Sequence, residues 1–305
     1  MKYNKILVTG GSGMVGKSLK KILPEAIYIS SKDFNLITRE GVEYMLIKHK
    51  PDVIIHLAAR VGGILDNIKK PADYFFDNIM MNTLLIDMSY KIGVKRFIGI
   101  LSTCIYPDTV DFYPMNEDML HKGPPTTTNF SYGYAKRSMA VQIDAYNKQY
   151  GLNYQYLIPC NLYGEFDKYG ENSHFIASLI KKIHLAKTNK ETEINLLGTG
   201  KPLRQFMHSD DFAKAIKLCL DNEVYTNMNI SIQENLSIKQ MAEIALDACD
   251  AKNLKINFNP NYSDGQYRKD VSIEKLKETF PNFKPMDLYT GIKQTYKYIV
   301  ENKII

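Results

Sequence analysis

The feature that most constrains this chain is a glycine-rich turn close to its start. An apolar stretch at 5–9 leads directly into Gly10, Gly13 and Gly16, within the sequence GGSGMVG. A strand that feeds such a turn and then a helix points free backbone N–H groups, and the positive end of the helix, at a pyrophosphate. The start of the chain is therefore predicted to be a dinucleotide-binding βαβ unit rather than an ordinary turn.

Strand-like and helix-like stretches alternate through the first half of the chain, which is typical of a parallel sheet with helices on both faces. Strands are predicted at 5–9, 26–30, 53–56, 96–101 and 154–159, and helices at 15–23, 39–48, 72–92 and 132–150. From about residue 165 the alternation loosens. Further helices are predicted at 175–187, 211–220, 238–248 and 288–301, with Ser237 as the N-cap of the third.

These patterns predict an α/β fold, a Rossmann-like doubly wound parallel sheet with a smaller, discontinuous α/β substrate lobe. A chain of 305 residues is long enough for both parts. Residues 1–165, completed by 194–231, are predicted to form the nucleotide-binding domain. Residues 166–193 and 232–305 are predicted to form the smaller lobe.

Composition limits the partners and the compartment. The net charge is +6, but the basic residues are interleaved with 33 acidic ones, so a small anionic ligand explains the charge and no nucleic-acid partner is predicted. The four cysteines show no paired spacing and no basic, apolar leader precedes the first strand, which predicts a reducing cytoplasm and no metal site. No apolar run reaches membrane-spanning length, so no membrane partner is predicted.

The end of the second predicted strand bears on the choice of cofactor. Binders of the unphosphorylated dinucleotide usually place an acidic residue there, about twenty residues past the glycine turn. Here the strand ends at Ser30 and runs into Ser31 and Lys32 before the first acid, Asp33. Two hydroxyls and an ammonium suit a 2′-phosphate, which favours NADP(H). The alternative is that Lys32 is an ordinary surface lysine.

A tyrosine four residues before a lysine is a second candidate motif, because both side chains then share one helical face and the ammonium can lower the pKa of the phenol. The chain contains this spacing four times, at 28/32, 44/48, 132/136 and 289/293. Only Tyr132 and Lys136 lie at the start of a helix after the fourth strand. That strand ends at a hydroxyl residue, Ser102, at the edge where ligands of such sheets bind.

The glycine turn with Ser102, Tyr132 and Lys136 resembles the extended short-chain dehydrogenase/reductase family, whose members act on nucleotide-linked sugars. Five further segments are similar to one branch of that family, the GDP-L-fucose synthases: 56–63 (HLAARVGG), 101–107 (LSTCIYP), 159–164 (PCNLYG), 172–174 (NSH) and 204–211 (RQFMHSDD). The resemblance implies NADPH-dependent 3,5-epimerisation and 4-reduction of a GDP-linked 4-keto sugar. In the family that this chain resembles, the tyrosine exchanges a proton with the sugar oxygen, and the serine forms a hydrogen bond to the same oxygen.

The cysteine in the second of these segments has a chemical reason to be there. A C4 ketone acidifies the C–H bonds at C3 and C5, and inverting those centres needs one group that removes a proton and one that returns it from the opposite face. In the branch that this chain resembles, a cysteine and a histidine share that work, which implies Cys104 and His174. We expect an extended segment to direct Cys104 the same way as Ser102. Which of the two is the base at each carbon stays open.

The resemblance also implies the remaining contacts. The cofactor residues are Gly10, Gly13, Met14, Val15, Gly16, Ser31, Lys32, Leu57, Ala58, Tyr132, Lys136, Pro159, Asn161 and Leu162. The sugar-nucleotide residues are Ser102, Cys104, Asn161, His174, Lys182, Arg204 and Arg268, with Arg204 pairing with the diphosphate. By analogy, the helices at 72–92 and 132–150 form a homodimer interface.

Two departures keep alternatives open. Leu197 stands where the branch commonly has tryptophan, and Ser12 where some members have arginine. The first alternative is a C4 reductase alone, acting on a related GDP-4-keto sugar such as a heptose while another enzyme epimerises it. The others are a redox-sensing binding protein without catalysis, which typically lacks the tyrosine or lysine, and a 4,6-dehydratase, which normally has an Asp-Glu pair where this chain has Thr103 and Cys104.

Overall fold

The computed structural model describes residues 3–170, 173–262 and 264–305, and describes only the backbone of Ile64 and Leu65. The strands are β1 (Ile6–Thr9), β2 (Ile27–Ile29), β3 (Val53–His56), β4 (Arg96–Ile100), β5 (Tyr154–Pro159), β6 (Asn161–Tyr163), β7 (Glu193–Leu197), β8 (Leu203–Arg204), β9 (Phe206–His208), β10 (Met228–Ile230), β11 (Leu236–Ser237) and β12 (Lys255–Asn259). The helices are α1 (Met14–Ile22), α2 (Arg39–His49), α3 (Ile64–Lys69), α4 (Pro71–Lys91), α5 (Phe130–Tyr150), α6 (Phe175–Thr188), α7 (Ser209–Asp221), α8 (Ile238–Ala248), α9 (Glu274–Thr279) and α10 (Leu288–Glu301).

Six strands form one parallel sheet in the order β10-β5-β4-β3-β1-β2. After β1 the chain passes to β2 on one side and then to β3 on the other, so the strand order reverses beside β1. Ligands of doubly wound sheets bind at the carboxyl ends of the strands next to such a reversal. The predicted Rossmann-like fold is therefore confirmed, and its binding crevice lies where the glycine turn follows β1.

Helices cover both faces of this sheet, as its apolar strands require. One core cluster includes buried side chains of α2, α4 and α5, and a second includes those of α1 and α7. The central strands β1, β3 and β4 are buried along their whole length. Because these strands are held from both faces, the loops at their carboxyl ends start from fixed positions.

The later part of the chain has its own core, built on β7 paired with β12 and on α6, α8 and α10. Helix α8 begins at the predicted cap. Gln240 N–H donates to Ser237 Oγ at 3.2 Å, and Ser237 N–H donates to Gln240 Oε1 at 2.9 Å, which forms a capping box. The segment 194–231 divides between the two parts. Strand β10 joins the main sheet beside β5, whereas β7 pairs with β12.

The eight predicted helices and five predicted strands are all present, and their ends differ from the prediction by at most two residues. The sequence did not reveal the seven later strands, β6 to β12, or the short helices α3 and α9. Of those strands, β7 and β12 have five residues and the other five have two or three. Strands of two or three residues are too short to show a periodic pattern, and they form here because distant segments pair with them.

Candidate active site

The turn after β1 fits a pyrophosphate. Gly10 has φ +72°, and a Cβ built there would lie 2.7 Å from the backbone N of Ala58, so only glycine allows this approach between the ends of β1 and β3. Gly13 precedes α1, and no side chain caps that helix and no acidic residue lies in its first turn. The N–H groups at the start of α1, around Met14 and Val15, are thus left for an anion.

The end of β2 lies beside this turn, since Gly11 N–H donates to Ile29 O at 2.7 Å. The carboxylate of Asp33 accepts hydrogen bonds from Ser30 N–H and Ser30 Oγ, both at 2.8 Å. These bonds hold the pKa of Asp33 below its ordinary value. Ser31, Lys32 and Asp33 are all exposed at the strand end, but the carboxylate of Asp33 is engaged by Ser30, so Ser31 and Lys32 are the side chains left to meet a phosphate.

A chain of buried hydrogen bonds, which the sequence gave no sign of, joins the glycine turn to α5. Ala58 N–H donates to Thr9 Oγ1 at 3.3 Å, and Thr9 Oγ1 lies 2.7 Å from His56 Nδ1. His56 Nε2 lies 3.0 Å from Asn82 Oδ1, and Asn82 Nδ2 donates to Ala135 O at 3.3 Å. Because Asn82 Oδ1 can only accept, His56 carries its proton on Nε2 and accepts from Thr9 on Nδ1. We call these four side-chain and backbone contacts the Thr9–Asn82 relay.

Burial and the nearby Lys136 lower the pKa of His56 to about 3, so its imidazole is neutral at physiological pH. Each hydrogen bond of the relay is therefore donated in the same direction, from Ala58 N–H toward Ala135 O. Ala135 lies one residue before Lys136, so the relay fixes the helix that carries the candidate catalytic pair relative to the glycine turn. Leu57 and Ala58 follow β3 at the same edge of the sheet.

Tyr132 and Lys136 lie on the buried face of α5. Lys136 Nζ donates to Ile100 O at 2.8 Å, and burial lowers the pKa of this lysine to about 7. Tyr132 is buried with its hydroxyl near Ser102, and its ring packs edge-on against Tyr74 at 6.4 Å. The structure thus places Ser102, Tyr132 and Lys136 together, at the end of β4 and the start of α5.

The expected lowering of the phenol pKa is wrong for this arrangement. Burial and the neighbouring Cys104 raise the pKa of Tyr132, and the hydrogen bond with Ser102 opposes them only in part. The ammonium of Lys136 is directed to the main-chain carbonyl of Ile100. The four-residue spacing alone therefore predicted the wrong direction for the pKa shift of Tyr132. The phenol is consequently protonated at physiological pH, as a group that donates a proton to an oxyanion must be.

Cys104 reaches the same place by a different route from the one expected. The segment after Ser102 is not extended, because Thr103–Ile105 forms a 3-10 turn in which Cys104 N–H donates to Ser102 Oγ at 3.3 Å. Helix α5 approaches this turn closely. A Cβ on Gly133 would lie 2.7 Å from Cys104 O, so the glycine after Tyr132 allows the contact.

Two nitrogen donors surround the Cys104 sulfur, and neither was found from the sequence. Asn129 Nδ2 lies 2.8 Å and Lys269 Nζ 3.0 Å from Sγ. Burial opposes ionisation of this thiol, but the charge of Lys269 and the hydrogen bonds from Lys269, Ser102 and Asn129 outweigh burial and lower the pKa of Cys104 below its ordinary value. The thiol is thus a better candidate for the proton-removing group than its sequence position alone indicates.

His174 lies directly before α6, with its side chain partly exposed. Its Nδ1 is 2.9 and 3.1 Å from the two carboxylate oxygens of Asp167. That hydrogen bond raises the pKa of His174 and occupies Nδ1, so Nε2 is the ring nitrogen that could exchange a proton with a substrate. The partner Asp167 was not found from the sequence, and Asn172 of the segment NSH lies outside the described residues.

Four predicted ligand residues lie in β5, β6 and β8. Pro159 ends β5, and Asn161 and Leu162 lie in β6, with Asn161 Nδ2 donating to Gln205 O at 3.0 Å. Arg204 Nη1 donates to Leu203 O at 2.7 Å. Burial lowers the pKa of Arg204 while the nearby Cys104 raises it, which places this guanidinium within electrostatic reach of the thiol.

The other two predicted cations have partners within the protein. Lys182 Nζ donates to Asn195 O at 2.6 Å. Arg268 binds Asp270 through Nε at 2.6 Å and Nη2 at 3.0 Å, and its guanidinium lies 4.8 Å from the centre of the Tyr113 ring. In this segment the next residue, Lys269, faces the thiol of Cys104. The role of Arg268 toward a diphosphate stays a prediction.

Over the described ranges, no group of three or more His, Cys, Asp or Glu side chains is placed to hold a metal ion. In the same part of the chain, no helix is both long enough and apolar enough to cross a membrane.

The fold and the site together define a dinucleotide-dependent short-chain dehydrogenase/reductase. Its glycine turn closes one end of the crevice, and a protonated tyrosine, a serine and a buried lysine lie at the edge of the same sheet. A cysteine with a lowered pKa beside the tyrosine is an additional acid–base group that reduction alone does not need.

Comparisons with known proteins narrow this class. Residues 6–231 match the model of the NAD dependent epimerase/dehydratase family. A GDP-L-fucose synthase of Dictyostelium discoideum is 37% identical over 97% of this chain and 95% of its own length. The crystal structure of a GDP-L-fucose synthetase from Naegleria fowleri bound to NADP is 32% identical, with a TM-score of 0.89 over 99% of this chain and 94% of that one. A GDP-6-OMe-4-keto-L-xylo-heptose reductase from C. jejuni, 23% identical with a TM-score of 0.90 over 99% of both chains, shares the fold.

The chain belongs to the NAD dependent epimerase/dehydratase family, and within it to the GDP-L-fucose synthases. The resemblance predicted from the five segments is thereby confirmed.

Proposed function

We propose that this chain uses NADPH to reduce C4 of a GDP-linked 4-keto-6-deoxy sugar after epimerising C3 and C5. The observation that carries the proposal is the Cys104 sulfur, which has an ammonium and an amide donor at 3.0 and 2.8 Å beside the Ser102–Tyr132 pair. A reductase needs a proton donor at the ketone oxygen, but it does not need a base for the adjacent carbons.

Residues 1–165, completed by α7 and β10 from the segment 194–231, form the proposed cofactor domain, and residues 166–193 and 232–305 together with β7 form the proposed GDP-sugar lobe. The narrow glycine turn and the uncapped start of α1 support a pyrophosphate there. The exposed Ser31 and Lys32 support the 2′-phosphate of NADP over NAD. Asn161, Lys182, Arg204 and Arg268 are the proposed contacts to the GDP moiety.

In the epimerase half, Cys104 and His174 exchange protons with the carbons next to the ketone. The lowered pKa of Cys104 suits it to remove a proton, and the raised pKa of His174, caused by Asp167, suits it to return one. Ser102 and Tyr132 hydrogen-bond the C4 oxygen while it carries negative charge between the two transfers. We assign the same roles at both carbons, with the thiol releasing its proton to water and the imidazole taking one up from water between the two inversions.

In the reductase half, Tyr132 gives its proton to the C4 oxygen. Its raised pKa keeps the phenol protonated until that step, and Ser102 holds the same oxygen. Bound NADPH supplies the hydride that goes to C4. Lys136, which donates to Ile100 O at 2.8 Å, is the proposed contact to the ribose of the cofactor.

The test uses purified protein, NADPH and a GDP-4-keto-6-deoxy sugar in D2O. We expect NADPH oxidation and a product with deuterium at C3 and C5. Replacing Cys104 by serine removes the ionisable thiol with little change in volume, so it should suppress deuterium entry more than C4 reduction. Cys160→Ser, at a buried cysteine with its pKa raised to about 11, is the matched control. Wild-type turnover without deuterium at either carbon would exclude the epimerase half.

The second candidate is reduction of C4 alone, on a larger GDP-4-keto sugar such as a heptose. It is favoured by Leu197, which is exposed and stands at the position where the resemblance in sequence implies a tryptophan. Turnover of a GDP-4-keto heptose without exchange at C3 or C5, and no turnover of the 6-deoxyhexose, would support it. The position of Cys104 between two donors favours the first candidate.

We also propose a homodimer in the cytoplasm. The adjacent helices α4 and α5 expose apolar side chains, with Phe75 42%, Phe76 55% and Val141 50% exposed, which supports pairing through a four-helix interface. The four cysteines are all free, which supports a reducing compartment. Sedimentation of the wild type and of Phe76→Glu tests the first part, because a charge in that interface should yield monomers.

A further inference from the structure

Lys269 reaches the site because its segment crosses from the smaller lobe to the loops of the main sheet. Gln266 Nε2 donates to Asp108 O at 2.8 Å. Met115 N–H donates to Asp270 O at 3.0 Å, and Val271 N–H donates to Gln205 Oε1 at 2.9 Å. Contacts on both sides of Lys269 thus hold the backbone that carries it.

The geometry around the Cys104 sulfur is that of a hydrogen-bond acceptor. Lys269 Nζ at 3.0 Å and Asn129 Nδ2 at 2.8 Å are both donors with no acceptor capacity at those atoms, and both face Sγ. A neutral thiol is a weak acceptor, whereas a thiolate accepts charge-assisted hydrogen bonds readily. The two donors therefore match a sulfur that carries negative charge.

We propose that Lys269 is a positioning residue that holds the Cys104 side chain as a thiolate directed at the sugar, with Asn129 fixing its rotamer. The charged and titratable groups that face this sulfur are Lys269, Arg204 and the Tyr132 phenol. Of the two cations, Lys269 is the one in hydrogen-bond contact. The consequence for epimerisation rests on the proposed function, but the state of the thiol does not.

The protein offers an internal standard for measuring that state. Cys160, Cys219 and Cys249 are buried, and burial raises their pKa values to about 11, 11 and 12. Cys104 is the partly exposed cysteine and has a lowered pKa. Alkylation by iodoacetamide at neutral pH, mapped by mass spectrometry, should therefore report Cys104 with little signal from the other three.

The experiment follows the rate of Cys104 alkylation from pH 5 to 10 without sugar. In the wild type the midpoint should lie below 9.0, the ordinary value for a thiol. In Lys269→Met the midpoint should rise by about one pH unit or more, so that the rate at pH 7 falls about tenfold. Lys269→Arg should restore most of the rate, because it returns a cation to the same place. Lys284→Met, at an exposed lysine, removes the same charge and should leave the profile unchanged.

A wild-type midpoint at or above 9.0 overturns the proposal without any variant. So does a Lys269→Met profile that coincides with the wild type while the melting temperature and NADPH affinity are unchanged. The proposed function is tested separately by deuterium exchange at C3 and C5. A shifted alkylation profile with no exchange in the wild type would retain Lys269 as the residue that ionises the thiol and reject the epimerase activity.

Discussion

Replacing His56 by glutamine tests whether the Thr9–Asn82 relay holds a neutral imidazole. His56 is fully buried, with hydrogen bonds to Thr9 at 2.7 Å and Asn82 at 3.0 Å. Its pKa is about 3 in the folded protein, against an ordinary 6.5. The unfolded chain therefore gains a proton at this histidine as the pH falls through 6.5, while the folded protein does not. The stability linked to His56 is complete above that pH and is lost progressively below it.

The difference between the two pKa values corresponds to about 5 kcal/mol in total, and about 2 kcal/mol of it is expressed between pH 7 and pH 5. Glutamine keeps an amide donor and acceptor but does not titrate. The free energy of unfolding of His56→Gln should be lower than that of the wild type at pH 7, because the relay is altered. It should then fall less on going to pH 5, by about 2 kcal/mol.

The assay is urea unfolding at a series of pH values, followed by circular dichroism, without cofactor or sugar. Because other groups titrate in both proteins, the quantity to compare is the difference between the two pH dependences. His121→Gln, at an exposed histidine, is the matched control and should follow the wild type. Parallel stability curves for His56→Gln and the wild type would refute the reasoning, since they would mean that His56 binds its proton equally in both states.

Two further predictions concern the cofactor. Lys32→Ala should lower the preference for NADPH over NADH about tenfold in kcat/KM, because one charge contact to the 2′-phosphate is lost, and Lys122→Ala, at another exposed lysine, should leave the ratio unchanged. An unaltered ratio in Lys32→Ala would mean that this lysine does not meet the phosphate. Gly10→Ala should weaken NADPH binding at least about tenfold in calorimetry, because a Cβ there lies 2.7 Å from Ala58 N and φ is +72°. Gly63→Ala, where nothing lies within 4 Å, is its control, and equal binding by both variants would contradict the fit of the turn.

The parts of the site that the sequence predicted are those encoded by local patterns. An apolar strand followed by Gly10, Gly13 and Gly16 specifies its turn within a few residues. Tyr132 could be chosen among four similar pairs, because only its helix follows a strand that ends in Ser102. In both cases, the rule that parallel strands share one carboxyl edge converts positions in the sequence into proximity in space.

The parts that the sequence did not predict depend on contacts between distant segments. Lys269 is 165 residues from Cys104, and Asn82 is 26 residues from His56, with no pattern that links either pair. The orientation of Cys104 was derived from an extended backbone, but the hydroxyl of Ser102 accepts its N–H and closes a 3-10 turn instead. A side-chain hydrogen bond to the backbone thus overrode the alternation expected of a strand.

The two halves of the proposed reaction draw on different parts of the chain. Ser102, Tyr132 and Lys136 are positioned by β4 and α5, which pack within one core of the main sheet. The thiol of Cys104 also needs Lys269, which the crossing segment brings from beyond β12. Displacing that segment would remove the cation from the sulfur while leaving the phenol and the serine in place. Weakening the hydrogen bond from Gln266 to Asp108 O should therefore lower deuterium exchange at C3 and C5 more than it lowers the rate of C4 reduction. A greater loss of C4 reduction than of deuterium exchange would mean that both halves of the reaction depend on this segment.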